Sequence, residues 1–327
     1  MSRRTPLLAQ TARRALAITA RVLFVVSAIG FAWWQLRGDW DDVVEAARGV
    51  GAPRWLQAAA LTTVGTAITG FAWRVILTGF GHRIGIRHGL AVFFVGQLGK
   101  YIPGSVWSLG MQASLARRAD VPAAVTVVTG LLFIGWHLAT AVAIGSAGLL
   151  TGAIDIPIPP ALGALALLGI IVVLSPRILN WLGTRTARAD HVLRLRWSDI
   201  VALWVMFAVT WTSYGVALTR LAGSGEQTLG LGNATAAFAA AYTVGLVVII
   251  APAGLGAREV MLGVLLAPAI GTPRATAAVL TARVLFTMTD FALAFTAWVT
   301  SGRRSDRSAD GAHDATAPYR RDTAHRE

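Results

Sequence analysis

The stretch 96-GQLGKYIPGSVW-107 follows the apolar run 89-GLAVFFV-95 and sets a lysine, a proline and several glycines into hydrophobic surroundings. What it means depends on what lies around it. Hydrophobic residues make up 55% of the 327-residue chain and charged residues only 14%, which is far from the balance of an ordinary water-soluble domain. A crossing of the bilayer core needs roughly 20 mostly apolar residues. Six windows qualify, at 15–36, 55–77, 122–150, 156–176, 198–218 and 275–299. The chain reads as an all-α polytopic membrane protein. The run 15–36 lacks a small-x-small exit and is expected to remain as a signal anchor.

The formal net charge is +13. In a soluble protein this would suggest nucleic acid as a partner, but here the arginines crowd short loops, the bias that orients membrane proteins. Arg3, Arg4, Arg13 and Arg14 precede the first run, and the connectors 81-GHRIGIRH-88, 116-ARRAD-120 and 177-RILNWLGTRTARADHVLRLRW-197 are basic. By contrast 37-RGDWDDVVEAARGVGAPR-54 is acid-rich and 151-TGAIDIPIPP-160 has no basic residue. Arg303, Arg304 and Arg307 follow the last run. Together these predict both termini in the cytoplasm of a multi-pass membrane protein, and the Ala/Arg/Gly richness points to a high-GC bacterial genome. The chain divides into a basic N-terminus (1–14), a membrane domain (15–300, halves about 15–150 and 156–300) and a polar tail (301–327) expected to be disordered.

This scheme leaves 89–116 and 230–271 starting and ending on one face. Each is interrupted, at Pro103-Gly104 and at 252-PAGLG-256, so each is expected to be a hairpin, either re-entrant or fully crossing. Landmarks also recur: Arg54-Trp55 as Arg196-Trp197, Pro103 as Pro252, and Pro122 as Pro273. Each half then reads span, span, broken hairpin, span. Three full crossings per half turn the second half over, giving an inverted repeat with six spans and two broken hairpins, eight to ten apolar segments in all. In transporters, paired broken segments of this kind mark the substrate site.

An unsatisfied backbone group in lipid costs several kcal/mol, so a helix broken at membrane depth must lie within protein or line a wet cavity. A lysine at mid-depth costs about 2.5–3.5 kcal/mol on insertion scales. Lys100 therefore needs the interface, an anion or an acidic partner. A helix resuming after Pro103-Gly104 offers free N–H groups and a positive dipole end, and with Lys100 this suits phosphate. A kinked helix whose lysine reaches the headgroups is the simpler alternative. In 252-PAGLGAREVML-262, Arg258 offers a bidentate fork for phosphate. Glu259 suits the first helical turn and could pair with Lys100, or with Arg258 as a plain hairpin cap. Arg283 and Asp290 lie seven residues apart on one face of the last run, about 10 Å along the axis, so each needs another partner. Arg283 with Glu259 is one candidate pairing; Arg283 and Asp290 count among the expected substrate-binding residues, and Glu259 and Asp290 could receive a cationic headgroup or couple to protons. Arg74 is expected to snorkel to the headgroups, and His137 to be a hydrogen-bonded core residue.

The pieces 98-LGKYIPGSVW-107, 115-LARRADVP-122 and 252-PAGLGARE-259 resemble the lysylphosphatidylglycerol synthase transmembrane-region family of flippase-like integral membrane proteins, over about residues 15–300. By that resemblance Lys100, Tyr101, Pro103, Gly104, Gly254, Gly256, Arg258 and Glu259 take the family's lipid-site role. It implies translocation of a membrane lipid, either a phosphatidylglycerol derivative or a polyprenyl-phosphate sugar. Members carrying a synthase continue into an aminoacyl-transferase domain; residues 301–327 read only as a polar tail, so lysyl transfer by this chain alone is not expected, and a separate synthase or glycosyltransferase that makes the lipid is the expected partner. No cofactor, metal or catalytic residue is expected, and the chain contains no cysteine for thiolate chemistry.

The competing reading is a membrane enzyme. In 39-DWDD-42, Asp41 and Asp42 could act as base and metal ligand in a glycosyltransferase, against a simple solvated start to an amphipathic helix. No HExxH, GxSxG or phosphate-binding GK[ST] motif is present. A non-catalytic membrane partner of such an enzyme is the third reading.

Overall fold

A computed structural model describes residues 48–102, 107–157, 159–175, 177–178, 193–223, 228–247 and 256–314. Among these, regular structure is entirely helical. The expected first run at 15–36, the acidic pair Asp41 and Asp42, and the breakers Pro103, Gly104, Pro252 and Gly254 lie outside the described residues.

The helices are α1 (Ala52–Gly79), α2 (Ile86–Gln97), α3 (Trp107–Ala116), α4 (Ala123–Leu150), α5 (Pro160–Val173), α6 (Trp197–Leu221), α7 (Leu231–Val247), α8 (Ala257–Ile270) and α9 (Thr272–Asp314). Starts follow local chemistry. Pro53 and Pro160 occupy the first turns of α1 and α5, where a missing N–H costs nothing. At α6 the Asp199 carboxylate turns back to accept the Arg196 N–H at 2.8 Å. Helix α9 runs on to Asp314, into the segment expected to be disordered.

Four of the described helices are long and apolar enough to cross a membrane: α1, α4, α6 and the Thr272–Ser301 part of α9. They correspond to four of the six expected spans. The run 156–176 yields only α5, a 14-residue helix. This is a multi-pass helical membrane protein.

With no hydrophobic drive between helices in lipid, small residues must bring backbones close enough for van der Waals packing. They do so here. Gly65 on α1 faces Tyr214 and Ser213 on α6, and the Thr210 hydroxyl donates to the Gly65 carbonyl at 3.2 Å. Gly145 and Gly148 on α4 face Ala240 and Ala236 on α7. The pairing has a regular pattern. Helix α1 packs along α6, α4 along α7, and α9 along α2; the pairs α2–α3 and α7–α8 each fold back on themselves.

Candidate functional site

The two interrupted segments are built from short helices. At 1.5 Å per residue, the 12 residues of α2 and the 10 of α3 rise about 18 and 15 Å, against a hydrocarbon core of about 30 Å. Helix α2 ends in a tight 3-10 turn over Leu98–Tyr101. Glycine sets the separation of its two arms. A Cβ built on Gly99 would lie 2.5 Å from Ser108 N and 2.6 Å from Ser108 Cα, so only glycine lets α3 start beside this turn. Gly96 lies equally close to Gln112 on α3.

The turn delivers Lys100 and Tyr101 to the last apolar helix. Lys100 Nζ forms an ion pair with Asp290 Oδ2 on α9 at 2.5 Å. Tyr101 donates its hydroxyl to the same oxygen at 2.7 Å, is itself buried, and stacks on Phe291 at a centroid distance of 5.4 Å. Asp290 thus accepts from two residues of the first broken segment. The lysine is not sealed in: its side chain keeps 36% of its surface exposed, against 9% for Asp290. Lys100 therefore pairs with Asp290, not with Glu259 as the sequence suggested.

The second broken segment brings Arg258. Helix α8 starts after Gly256, whose positive φ of 80° a residue with a Cβ rarely adopts, and Glu259 accepts the Gly256 N–H at 2.8 Å. Glu259 therefore caps its own helix. Gly245 on α7 leaves room for the Arg258 stem, since a Cβ there would meet Arg258 Cβ at 2.8 Å. The guanidinium carbon lies 4.7 Å from the Phe238 ring centre and 5.2 Å from that of Phe286. Two aromatic faces so hold a cation within the bundle, each such contact worth about 0.5–2 kcal/mol.

Beneath the cations is an aromatic and hydroxyl core that the sequence did not reveal. His137 packs against Phe133, Phe207, Trp211 and Tyr242, and its Nδ1 lies 3.2 Å from the Tyr242 hydroxyl. Trp211 donates to Thr140 Oγ1 at 3.1 Å, and the Tyr214 and Thr66 hydroxyls lie 3.1 Å apart. The ring of Phe238, on which Arg258 lies, also packs against Trp211 and Tyr214 of this core. The core residues come from α1, α4, α6 and α7; helical spacing groups them within α4 and within α6, but no local spacing links one helix to the next. Arg283, one of the expected site residues, lies half-buried on α9 two turns before Asp290.

A groove of about 700 Å³ runs between α8 and α9 from Glu259 past Gly263 and Pro268 to Thr276 and Leu280, and its wall is largely apolar. A charged turn with an ion pair open to one side, an arginine on two aromatic faces, and an apolar groove that begins at Glu259, next to that arginine in the chain, are features that suit an amphiphile. The profile of the lysylphosphatidylglycerol synthase transmembrane region matches residues 18–295. The chain belongs to this family. The match spans both broken segments and all four long helices, so the family resemblance read from the short motifs extends over the whole bundle. No curated protein matches the chain significantly.

Proposed function

We propose that the protein translocates a phosphate-bearing membrane lipid across a bacterial inner membrane and does no chemistry of its own. One observation carries the proposal: Lys100, at the tip of one broken segment, is paired across the bundle with Asp290 while more than a third of its side chain stays exposed. A purely structural ion pair at membrane depth gains from being closed off; one left open can exchange partners. A headgroup phosphate would take Lys100 from Asp290 and receive the Arg258 fork, and a cationic headgroup substituent would meet the released Asp290. The α8–α9 groove suits an acyl chain leaving the site sideways into lipid.

In this reading α2–α3 and α7–α8 are re-entrant pairs, as the short rise of α2 and α3 suggests. The two halves form an inverted repeat: α1, α2, α3 and α4 correspond to α6, α7, α8 and α9. Supporting this, α4 against α7 and α9 against α2 are equivalent contacts under that exchange, and α1 against α6 is the central one. Rocking of the halves about this centre would expose the hairpin tips to each face in turn. The lipid is a phosphatidylglycerol derivative or a polyprenyl-phosphate sugar, made by a separate enzyme.

The test is headgroup translocation by purified protein in liposomes, with fluorescent phosphatidylglycerol and a polyprenyl-phosphate sugar in parallel. Wild type should move one of them and the Lys100→Ala/Arg258→Ala protein neither. Translocation that survives in the double variant, or is absent from wild type with both lipids, refutes the proposal.

A further inference from the structure

A second polar cavity, of about 780 Å³, lies away from the hairpin tips where the end of α1, the following loop and the start of α6 meet. Four arginines line it, Arg74, Arg83, Arg194 and Arg196, and among the described residues Asp199 is the one acid in its wall. That acid is already engaged, since its Oδ2 accepts the Arg196 N–H. The walls are held firmly: Arg194 N–H donates to the Gly79 carbonyl at 2.8 Å, and Leu193 and Leu195 press onto Gly79.

Arg74 is half-buried; its stem lies across Gly89 on α2, and its guanidinium reaches the end of the helix and donates to the Ile84 carbonyl of the following loop at 2.9 Å. Its Nε is buried against Gly89, with no hydrogen-bond partner among the described residues. Arg83, Arg194 and Arg196 are exposed around it. The opposite wall is apolar, with Phe71, Val75 and Met206 continuing onto the outer faces of α1 and α6. A charged cup opening onto an apolar helix face fits a phosphodiester joined to acyl chains better than a free ion.

We infer that this cavity binds the phosphate of an anionic phospholipid resident in the adjacent leaflet, apart from the lipid handled at the hairpins. Two of the three basic connectors read as cytoplasmic supply Arg83, Arg194 and Arg196, and that leaflet is the one rich in anionic headgroups. A zwitterionic phosphatidylcholine brings a quaternary ammonium to the same arginines and should be disfavoured.

The experiment measures thermal unfolding of delipidated protein in detergent against added phosphatidylglycerol, phosphatidylcholine, or inorganic phosphate. It is run in the Lys100→Ala/Arg258→Ala background so that the hairpin site contributes nothing. The expected result is stabilisation by phosphatidylglycerol at concentrations about tenfold lower than for phosphatidylcholine, and none by millimolar inorganic phosphate. Arg83→Gln/Arg194→Gln, which alters exposed side chains and leaves the Arg194 backbone bond in place, should abolish that preference. Native mass spectrometry of the same proteins should show one fewer retained phosphatidylglycerol. Equal stabilisation by both lipids, or a preference that survives the double substitution, overturns the inference. Stabilisation by inorganic phosphate equal to that by phosphatidylglycerol overturns it too, by showing a soluble-anion site.

Discussion

Replacing Asp290 by Asn separates the exchange of partners at Lys100 from a fixed structural bridge. The substitution removes one charge and keeps the shape, and the amide oxygen still accepts the Tyr101 hydroxyl that lies 2.7 Å away in wild type. Surface ion pairs are worth at most about 1 kcal/mol, and losing one partner of a fully buried pair costs about 3–5 kcal/mol. With side-chain exposures of 36% and 9%, the Lys100–Asp290 pair falls between, and solvent screening of the lysine puts it near the low end, at about 1–2 kcal/mol. A phosphate that binds Lys100 must first break this pair. Removing the competitor should therefore tighten headgroup binding by about 5- to 30-fold, since 1.4 kcal/mol is a factor of ten.

Binding is read by titrating fluorescent phosphatidylglycerol, or the lipid that the liposome assay selects, into protein in nanodiscs. Translocation in liposomes is read beside it. The Asp290→Asn protein should bind more tightly and turn over more slowly, because Asp290 no longer helps to eject the phosphate from Lys100. A double-mutant cycle with Lys100→Met, read by reversible unfolding in mixed micelles, should return a coupling of the same about 1–2 kcal/mol. Binding by Asp290→Asn at or below the wild-type affinity, in a protein that unfolds normally, refutes the competition and leaves the pair as a structural strut.

Gly99→Ala places a methyl against the backbone of Ser108 rather than against a flexible side chain, so α3 must shift; translocation should fall at least tenfold, with a loss of about 1–3 kcal/mol in unfolding. Wild-type transport by this variant would mean that the tip geometry is immaterial. Gly245→Val should act the same way through Arg258, whose Cβ it would crowd, and headgroup affinity is the quantity to measure. Glu259→Gln weakens the cap on Gly256 N–H and should cost about 0.3–1 kcal/mol of stability with little change in transport; loss of transport at unchanged stability would make Glu259 a headgroup ligand instead.

The fold was legible where the physics is local. Run length identified four of the described helices, and Pro53 and Pro122 mark two of their starts. The broken segments were legible because proline and glycine disfavour a continuing helix, and the described helices do stop short of them, α2 at Gln97 with α3 starting at Trp107, and α7 at Val247 with α8 starting at Ala257. What local sequence does not encode is which charge meets which. Lys100 and Asp290 stand 190 positions apart, and Glu259, closer in motif and in apparent purpose, is instead consumed by its own helix terminus. Asp290 was recognisable as needing a partner, since a carboxylate in a span must find one, but its identity required the bundle. The aromatic bed of Arg258 was invisible for the same reason: Phe238 and Phe286 look like ordinary lipid-compatible residues until α7 and α9 bring both to one guanidinium.

That bed bears on how the site works. A guanidinium facing a carboxylate at membrane depth would be neutralised and hard to recruit, whereas one facing two rings keeps its full charge and its N–H edge. The two cations of the site are thus held differently: Lys100 by an acid that can be displaced, Arg258 by aromatic faces that offer no hydrogen-bond acceptor to compete with phosphate. Under the proposed function, and among the described residues, an arriving phosphate would have one ion pair to break, at Lys100, and Arg258 could engage it first. If the sequence of events runs this way, Arg258→Lys should weaken capture of the lipid more than its transfer. An ammonium stacks less well and lacks the bidentate fork, but the Lys100–Asp290 exchange would remain intact. Lys100→Arg should do the reverse, because a guanidinium can grip Asp290 with two bonds and release it more slowly. The two conservative swaps therefore separate binding from turnover, and equal effects of both on affinity would show that the cations act as one.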